Sequence, residues 1–174
     1  EHCFNEPLAG IVHCAWPKPD TDGILDNPNS SLRLDYHLTE PIRHCLSLAR
    51  LLRRHGQPGA KLLLVGSAFA RPGRHAWRMP IYSLAKGLIP DLVKILALEL
   101  AKTNHQVVGI TLDVIRGGMN KGLGPVQYQA HVDRTLWGDL PNMEEVASQI
   151  CWLLENPGKL ASGAMIDLVG GALP

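Results

Sequence analysis

The sequence lacks several features that would each place it in a familiar class of protein. No apolar run reaches the roughly 18 residues of a membrane-spanning helix, so we predict no membrane span. The formal net charge is only +1, which gives no electrostatic reason to expect binding to nucleic acid or to an anionic membrane. Nothing near residue 1 resembles a signal peptide, and we therefore expect a cytoplasmic protein.

The four cysteines are widely spaced and form no C-x-x-C pair, which argues against a zinc ribbon or a thioredoxin-type site. Three of them directly follow a histidine, as His2-Cys3, His13-Cys14 and His44-Cys45. Adjacent residues on a strand point to opposite faces, and the pairs lie on different predicted elements. We therefore predict no metal site and expect reduced thiols.

What the chain does contain is an alternation of apolar segments. Its 174 residues are 45% hydrophobic and 19% charged, as in one globular domain spanning 1–174. Short apolar runs predict strands, and longer stretches with helical spacing predict helices between them. The predicted strands are 8–16, 61–67, 106–115 and 162–174, and the predicted helices are 32–55, 81–103 and 142–158. This order predicts an α/β fold with a parallel sheet and helices on both faces.

In such a sheet, chemistry lies at the carboxyl ends of the strands, where Ala15, Ser67 and Asp113 fall. Tyr82 and Lys86 stand one turn apart at the start of a predicted helix, so their side chains share a face. A nearby ammonium stabilises a phenolate and lowers the pKa of a tyrosine from its usual value of ~10. A Y-x-x-x-K pair alone is often a surface pair. Its position after a buried strand that ends in serine favours a site for reducing a carbonyl or oxidising an alcohol.

Five segments in their order resemble the C-terminal two-thirds of the short-chain dehydrogenase/reductase family. They are "AGIVHCAW", "KLLLVGS", "YSLAKGLIPDLVKILALELA", "MEEVASQICWLL" and "SGAMIDLVGG". The resemblance implies a Rossmann-like fold and NAD or NADP as cofactor. It implies that Ser67 orients a small-molecule carbonyl or alcohol substrate and that Tyr82 donates the proton. Lys86 would lower the pKa of Tyr82 and hold the nicotinamide ribose.

The resemblance also marks places where the chain departs from the family pattern. No G-x-x-x-G-x-G turn precedes residue 1, so the first strands of the usual doubly wound fold are lacking in this sequence. Strand 8–16 would then be a bare edge unless an upstream part or another element covers it. His37 stands where the family has an asparagine that helps to bind a water near the lysine. It either relays protons in that place or marks a relaxed site.

The end of the third strand differs as well. By the resemblance, Ala15, Asp113 and Ile115 would line the cofactor together with Tyr82 and Lys86. The threonine that touches the nicotinamide amide in the family is absent, and the carboxylate of Asp113 would repel a pyrophosphate facing it. The glycines of "GGMNKGLG" have the spacing of a phosphate-binding loop, but we interpret this segment as a flexible substrate lid.

We therefore predict an NAD(P)-dependent oxidoreductase whose substrate side is lined by Trp77, Met79, Met119 and Leu123. The alternative is a degenerate relative that binds no dinucleotide and acts as a partner or scaffold subunit, or in cofactor-free acid–base chemistry. In the family the two long helices commonly pair with a second subunit. The apolar stripe of helix 81–103 is wide enough for this, and we expect a homodimer or homotetramer.

Overall fold

The computed structural model describes residues 6–19, 21, 23–25, 29–71, 79–156 and 158–170. They form one four-stranded sheet in the order β1-β2-β3-β4, and every neighbouring pair of strands is parallel. The strands are β1 (Leu8–His13), β2 (Gly56–Ser67), β3 (Gln106–Leu112) and β4 (Met165–Leu168). The predicted parallel α/β fold is confirmed.

The helices lie between the strands in the chain. They are α1 (Ser30–Leu34), α2 (Glu40–His55), α3 (Pro80–Gly87), α4 (Ile89–Ala101), α5 (Pro125–Val132) and α6 (Met143–Glu155). Helix α6 begins with a capping box, in which Asn142 Oδ1 accepts the Glu145 N–H at 2.8 Å and Glu145 Oε2 accepts the Asn142 N–H at 2.8 Å. Helix α5 was not predicted. No helix in the described ranges combines the length and the apolar character that a membrane crossing requires.

Helices cover both faces of the sheet, as the alternation of side chains along β2 shows. Leu62 and Leu64 point into a core that includes Cys45 and Leu52 of α2 and Val93 of α4. Leu63 points the other way and packs with Ile110 of β3 and Leu153 of α6. Successive residues of a strand face opposite sides, so this near-continuous apolar strand serves two cores.

Strand β1 is shorter than the predicted strand 8–16 and is only partly buried. It ends at His13, and His13 is the one fully buried residue of the six. The reason is its position, because β1 pairs only with β2 and forms an edge of the described sheet. The strands at the other end of the chain are also shorter than predicted: β3 ends at Leu112 and β4 at Leu168, and residues 171–174 lie outside the described residues.

Both long predicted helices are irregular in the structure. Helix 32–55 contains a π-helical turn, Asp35–Thr39, between α1 and α2, and this turn carries the buried His37. Helix 81–103 is divided at Leu88 into α3 and α4. Pro90 explains the division, because its ring cannot donate to the Lys86 carbonyl one turn earlier and would clash with it. At the break, the Leu88 N–H donates to Ala85 O and Lys86 O rather than to the carbonyl four residues earlier.

The junction between α2 and β2 is abrupt, although the sequence "HGQPG" predicts a loop there. The strand begins at Gly56, directly after the last helical residue, and the Gly56 N–H donates to Leu52 O. A Cβ atom at Gly56 would lie 2.5 Å from Leu52 O and 2.9 Å from His105 Nε2. Glycine is therefore required by the close approach of the two backbones.

We predict that Gly56→Ala lowers the free energy of unfolding by about 2 kcal/mol or more, because the clash is with backbone that is itself hydrogen-bonded. Urea titration would measure it. Gly87→Ala is the matched control, since a Cβ there meets nothing within 4 Å, and it should change stability by no more than about 1 kcal/mol. Equal stability of the Gly56 variant and the wild type would contradict this account of the junction.

Candidate active site

The carboxyl ends of the strands border a cavity of about 610 Å³. Ser67 is the last residue of β2, and Tyr82 and Lys86 come from α3, which packs against that end of β2. All three line the cavity, together with Trp16 from the segment after β1 and Asp113 from the segment after β3. The structure thus brings the predicted serine, tyrosine and lysine to the wall of one cavity.

Ser67 is held by the turn that follows its strand. Its Oγ accepts the N–H of Phe69 at 3.3 Å and so caps the short helical turn Ala68–Ala70. Its side chain is also a hydrogen-bonding neighbour of the Tyr82 hydroxyl and acts to lower the pKa of that phenol. The two hydroxyl groups are therefore adjacent, and a carbonyl oxygen bound beside them would meet both.

Tyr82 lies in a largely apolar environment. Burial raises the pKa of Tyr82, and the hydrogen bond with Ser67 acts in the opposite direction without cancelling the effect. The ammonium of Lys86 lies 5.9 Å from the centroid of the Tyr82 ring. The net shift is upward, in contrast to the lowering that the sequence predicted from Lys86. The phenol therefore keeps its proton at neutral pH, which is the form that can donate it.

Lys86 is the most deeply placed of the three, with 4% of its surface exposed. Its Nζ donates to the carbonyl of Val65 at 2.6 Å and lies 4.0 Å from the centroid of the Trp16 ring. Burial lowers the pKa of Lys86 from 10.5 to about 8. Burial also raises the pKa of the Cys45 thiol to about 11, so this neighbour is neutral.

The other predicted site residues divide into two groups. Asp113 and Ile115 line the cavity, as do Met79, Met119 and Leu123 of the predicted substrate side. Trp77 lies outside the described residues. Ala15 and His37 do not line the cavity. His37 is buried in the π-helical turn, where its ring packs edge-on against Tyr36 with centroids 4.9 Å apart.

Sequence reasoning missed Trp16. Ala15 was predicted to lie at the carboxyl end of a strand, and Trp16 is the next residue. Its position beside a predicted strand end could therefore have marked Trp16 as a candidate site residue. The indole Nε1 of Trp16 and the Nε2 of His13 are buried and have no hydrogen-bond partner within the described ranges. Among all the residues that the structure describes, no group of three or more His, Cys, Asp or Glu side chains is arranged to hold a metal ion.

Comparisons with known proteins agree with this fold. A model of the family described as enoyl-(acyl carrier protein) reductase matches residues 17–172, most of the chain. A solved short-chain dehydrogenase/reductase from Brucella melitensis superimposes with a TM-score of 0.80 at 19% identity, covering 95% of this chain and 65% of that one. This chain belongs to the short-chain dehydrogenase/reductase family.

Two further relatives indicate the range of the similarity. L-xylulose reductase of Bos taurus is 26% identical over 128 residues, which are 72% of this chain and 51% of the relative. The chain thus spans about half the length of this relative. A 3-oxoacyl-[acyl-carrier protein] reductase with bound NAD from Brucella melitensis has a TM-score of 0.75 at 19% identity, with 95% of this chain and 62% of that one covered.

The buried ammonium of Lys86 should lower the free energy of unfolding of the protein. The unfolded lysine keeps its proton up to about pH 10.5 and the folded one only to about pH 8, so folding releases a proton between these values. The stability of the wild type therefore rises with pH across this window. Below it, the charged group costs on the order of 3 kcal/mol, offset by about 1 kcal/mol from the hydrogen bond to Val65.

We predict that Lys86→Met is more stable than the wild type by about 2 kcal/mol at pH 7 and that the gain shrinks as the pH rises from 8 towards 10.5. Urea unfolding at pH 7 and pH 10 measures both values. Lys94→Met, which removes an exposed lysine of α4, is the matched control and should change stability little at either pH. A Lys86 variant less stable than the wild type at pH 7 would refute the burial cost.

Proposed function

We propose that the protein is an NAD(P)-dependent oxidoreductase that reduces a carbonyl, or oxidises a secondary alcohol, at Ser67, Tyr82 and Lys86. The observation that carries the proposal is that Ser67, Tyr82 and Lys86 line one cavity of about 610 Å³, with the Lys86 ammonium 5.9 Å from the centroid of the Tyr82 ring. A donor pair beside a buried cation is what the developing alkoxide of a carbonyl reduction requires.

The three side chains have distinct roles in this proposal. The hydroxyls of Ser67 and Tyr82 bind the substrate carbonyl oxygen, and Tyr82 transfers its proton to that oxygen as the alcohol forms. The resulting phenolate is stabilised by the Ser67 hydroxyl and by the charge of Lys86. The bound nicotinamide cofactor would supply the hydride.

The residues present suit the nicotinamide end of such a cofactor. The Tyr82 hydroxyl and the Lys86 ammonium both line the cavity and can bind a ribose diol. Asp113 and Ile115 lie in the wall as well, as proposed cofactor neighbours. A solved neighbour holds NAD, which supports the assignment at the level of the family.

The substrate that we propose is a small carbonyl or alcohol with an apolar body. Phe69, Met79, Met119 and Leu123 line the cavity and supply apolar surface to it. We place the protein in the cytoplasm, where the free thiols of Cys14, Cys45 and Cys151 would stay reduced.

One observation favours a different function, a relative that binds no dinucleotide and serves as a partner subunit or in cofactor-free acid–base chemistry. Asp113 places a carboxylate in the cavity wall, with one oxygen accepting the Val114 N–H at 2.9 Å. A fixed negative charge there would repel a phosphate group. Thermal-shift titration of the protein with NADH and NADPH separates the two proposals, since saturable stabilisation by either supports the oxidoreductase.

We predict that Tyr82→Phe lowers turnover of a carbonyl substrate by several orders of magnitude, because the proton donor is lost while the ring and its packing remain. Its affinity for the cofactor, measured by titration, should stay nearly that of the wild type. Tyr128→Phe is the matched control, because the Tyr128 hydroxyl binds Asp139 at an exposed position. Turnover of the Tyr82 variant at the wild-type rate would rule out its role as proton donor.

Association through the long helices remains part of the proposal. Four exposed apolar side chains recur at helical spacing from α3 through the break at Leu88 to α4, namely Leu84 (50%), Leu88 (39%), Ile95 (54%) and Leu98 (75%). Their spacing suits packing against the same helices of a second copy.

We predict a dimer or tetramer in sedimentation velocity at micromolar concentration and a monomer for Ile95→Glu, because a charge would enter the apolar contact. Val126→Glu changes an equally apolar exposed residue on α5 and should leave the assembly intact. A monomeric wild type would contradict this prediction.

A further inference from the structure

The ring of Trp16 forms one wall of the space occupied by the Lys86 ammonium. The Nζ atom lies 4.0 Å from the ring centroid, well within the range in which an aromatic face attracts a cation. Both side chains are buried, Trp16 at 7% exposure and Lys86 at 4%. Water therefore screens the attraction little, and the contact is stronger than it would be at the surface.

The indole is itself held firmly in place. It belongs to the core cluster formed with residues of α2, β2 and α4. The His13 ring packs edge-on against it, with centroids 6.0 Å apart and the planes at 79°. The position of His13 is in turn fixed by Cys45, whose Sγ lies 3.7 Å from His13 Nδ1. The aromatic face is thus a rigid part of the wall.

We propose that Trp16 is a positioning residue of this site, whose indole face holds the Lys86 ammonium, in its charged form, next to Tyr82. The inference rests on the proposed function for its catalytic consequence, but the contact with Lys86 does not depend on that function. The Val65 carbonyl fixes one direction of the ammonium and the Trp16 face another. Together they leave the cation beside the cavity without a carboxylate partner among its described contacts.

None of the other groups that act on Lys86 in the described ranges supplies a negative charge to balance its ammonium. Those that interact with it electrostatically in the described ranges are His13 and Cys14 of the β1 segment, Cys45 of α2 and Tyr82 of α3. Burial lowers the pKa of His13, and Lys86 acts in the same direction, so the imidazole is neutral. Burial raises the pKa of Cys14, Cys45 and Tyr82, so these groups are neutral too. The aromatic face is then a main favourable partner of the positive charge.

The direct test is the titration of Lys86 itself. In protein labelled with ¹³C at lysine Cε, the Lys86 resonance is identified by its loss in Lys86→Met, and its midpoint is followed with pH. We expect a midpoint near 8 in the wild type and one lower by about one pH unit in Trp16→Leu, because the charged form loses its aromatic partner. Trp16→Phe, which keeps a smaller aromatic face, should fall between them. Trp152→Leu, at an exposed position of α6, is the matched control and should match the wild type.

Fluorinated tryptophans placed at position 16 give a second measurement that does not alter shape or folding. Fluorine withdraws charge from the ring face, so the Lys86 midpoint should fall stepwise as one, two and three fluorines are added. An unchanged or higher midpoint across this series would overturn the proposal. If Trp16→Leu fails to fold, the fluorinated series alone decides, and an unchanged or higher Lys86 midpoint in that series still overturns the proposal.

The activity readout links the contact to the proposed reaction. If Lys86 acts as an ammonium, kcat/KM for carbonyl reduction decreases at alkaline pH as Lys86 loses its proton. In the Trp16 series, the pH at which kcat/KM decreases should be lowered by the same amount as the Lys86 midpoint. A shifted Lys86 titration with no measurable reduction would leave the positioning contact intact and count against the oxidoreductase. An alkaline limb that stays in place while the Lys86 midpoint moves would show that Trp16 does not act on the reaction through Lys86.

Discussion

The burial of one ammonium group is the constraint on which the rest of the site depends. A charge removed from water is costly unless polar or polarisable groups meet it, and Lys86 is met by the Val65 carbonyl and the Trp16 ring. Those partners belong to the ends of β2 and of the β1 segment, whereas Lys86 belongs to α3. The charge can be accommodated only where these three parts of the chain converge, and that point is also the wall of the cavity.

The break between α3 and α4 makes this convergence compatible with a packed core. Helix α3 contacts the end of β2, the turn after it and the π-helical turn, whereas α4 lies along β3 and β2. Val93 and Leu100 of α4 are fully buried against the sheet. A straight helix would impose one direction on both parts. Because Pro90 interrupts the hydrogen-bond ladder, α4 can follow the sheet while α3 directs Tyr82 and Lys86 to its edge.

The strands of the sheet and the positions of Ser67, Tyr82 and Lys86 could be predicted from the sequence, because each follows from a short stretch of neighbouring residues. Continuous apolar runs marked the strands, and Ser67, Tyr82 and Lys86 stood in the order that brings them to one sheet edge. The π-helical turn around His37 has the same apolar spacing as an ordinary helix and leaves no local signal. The exposure of β1 depends on which strands lie beside it, and the sequence indicated it only through the lack of the family's first strands. Trp16 was missed because its role comes from a contact across the fold, 70 residues along the chain.

The two burial effects also bear on the direction of the proposed reaction. Burial raises the pKa of Tyr82 and lowers that of Lys86 to about 8, so the neutral phenol and the charged amine coexist below that pH. This is the combination that gives a proton to a carbonyl oxygen and then stabilises the phenolate left behind. Oxidation of an alcohol needs the phenolate at the start. As the pH rises, this site loses its ammonium before the phenol ionises, so the cation that would stabilise the phenolate is already gone. The proposed reduction would start from the ionisation state that burial sets below about pH 8, whereas the proposed oxidation would start from a different one.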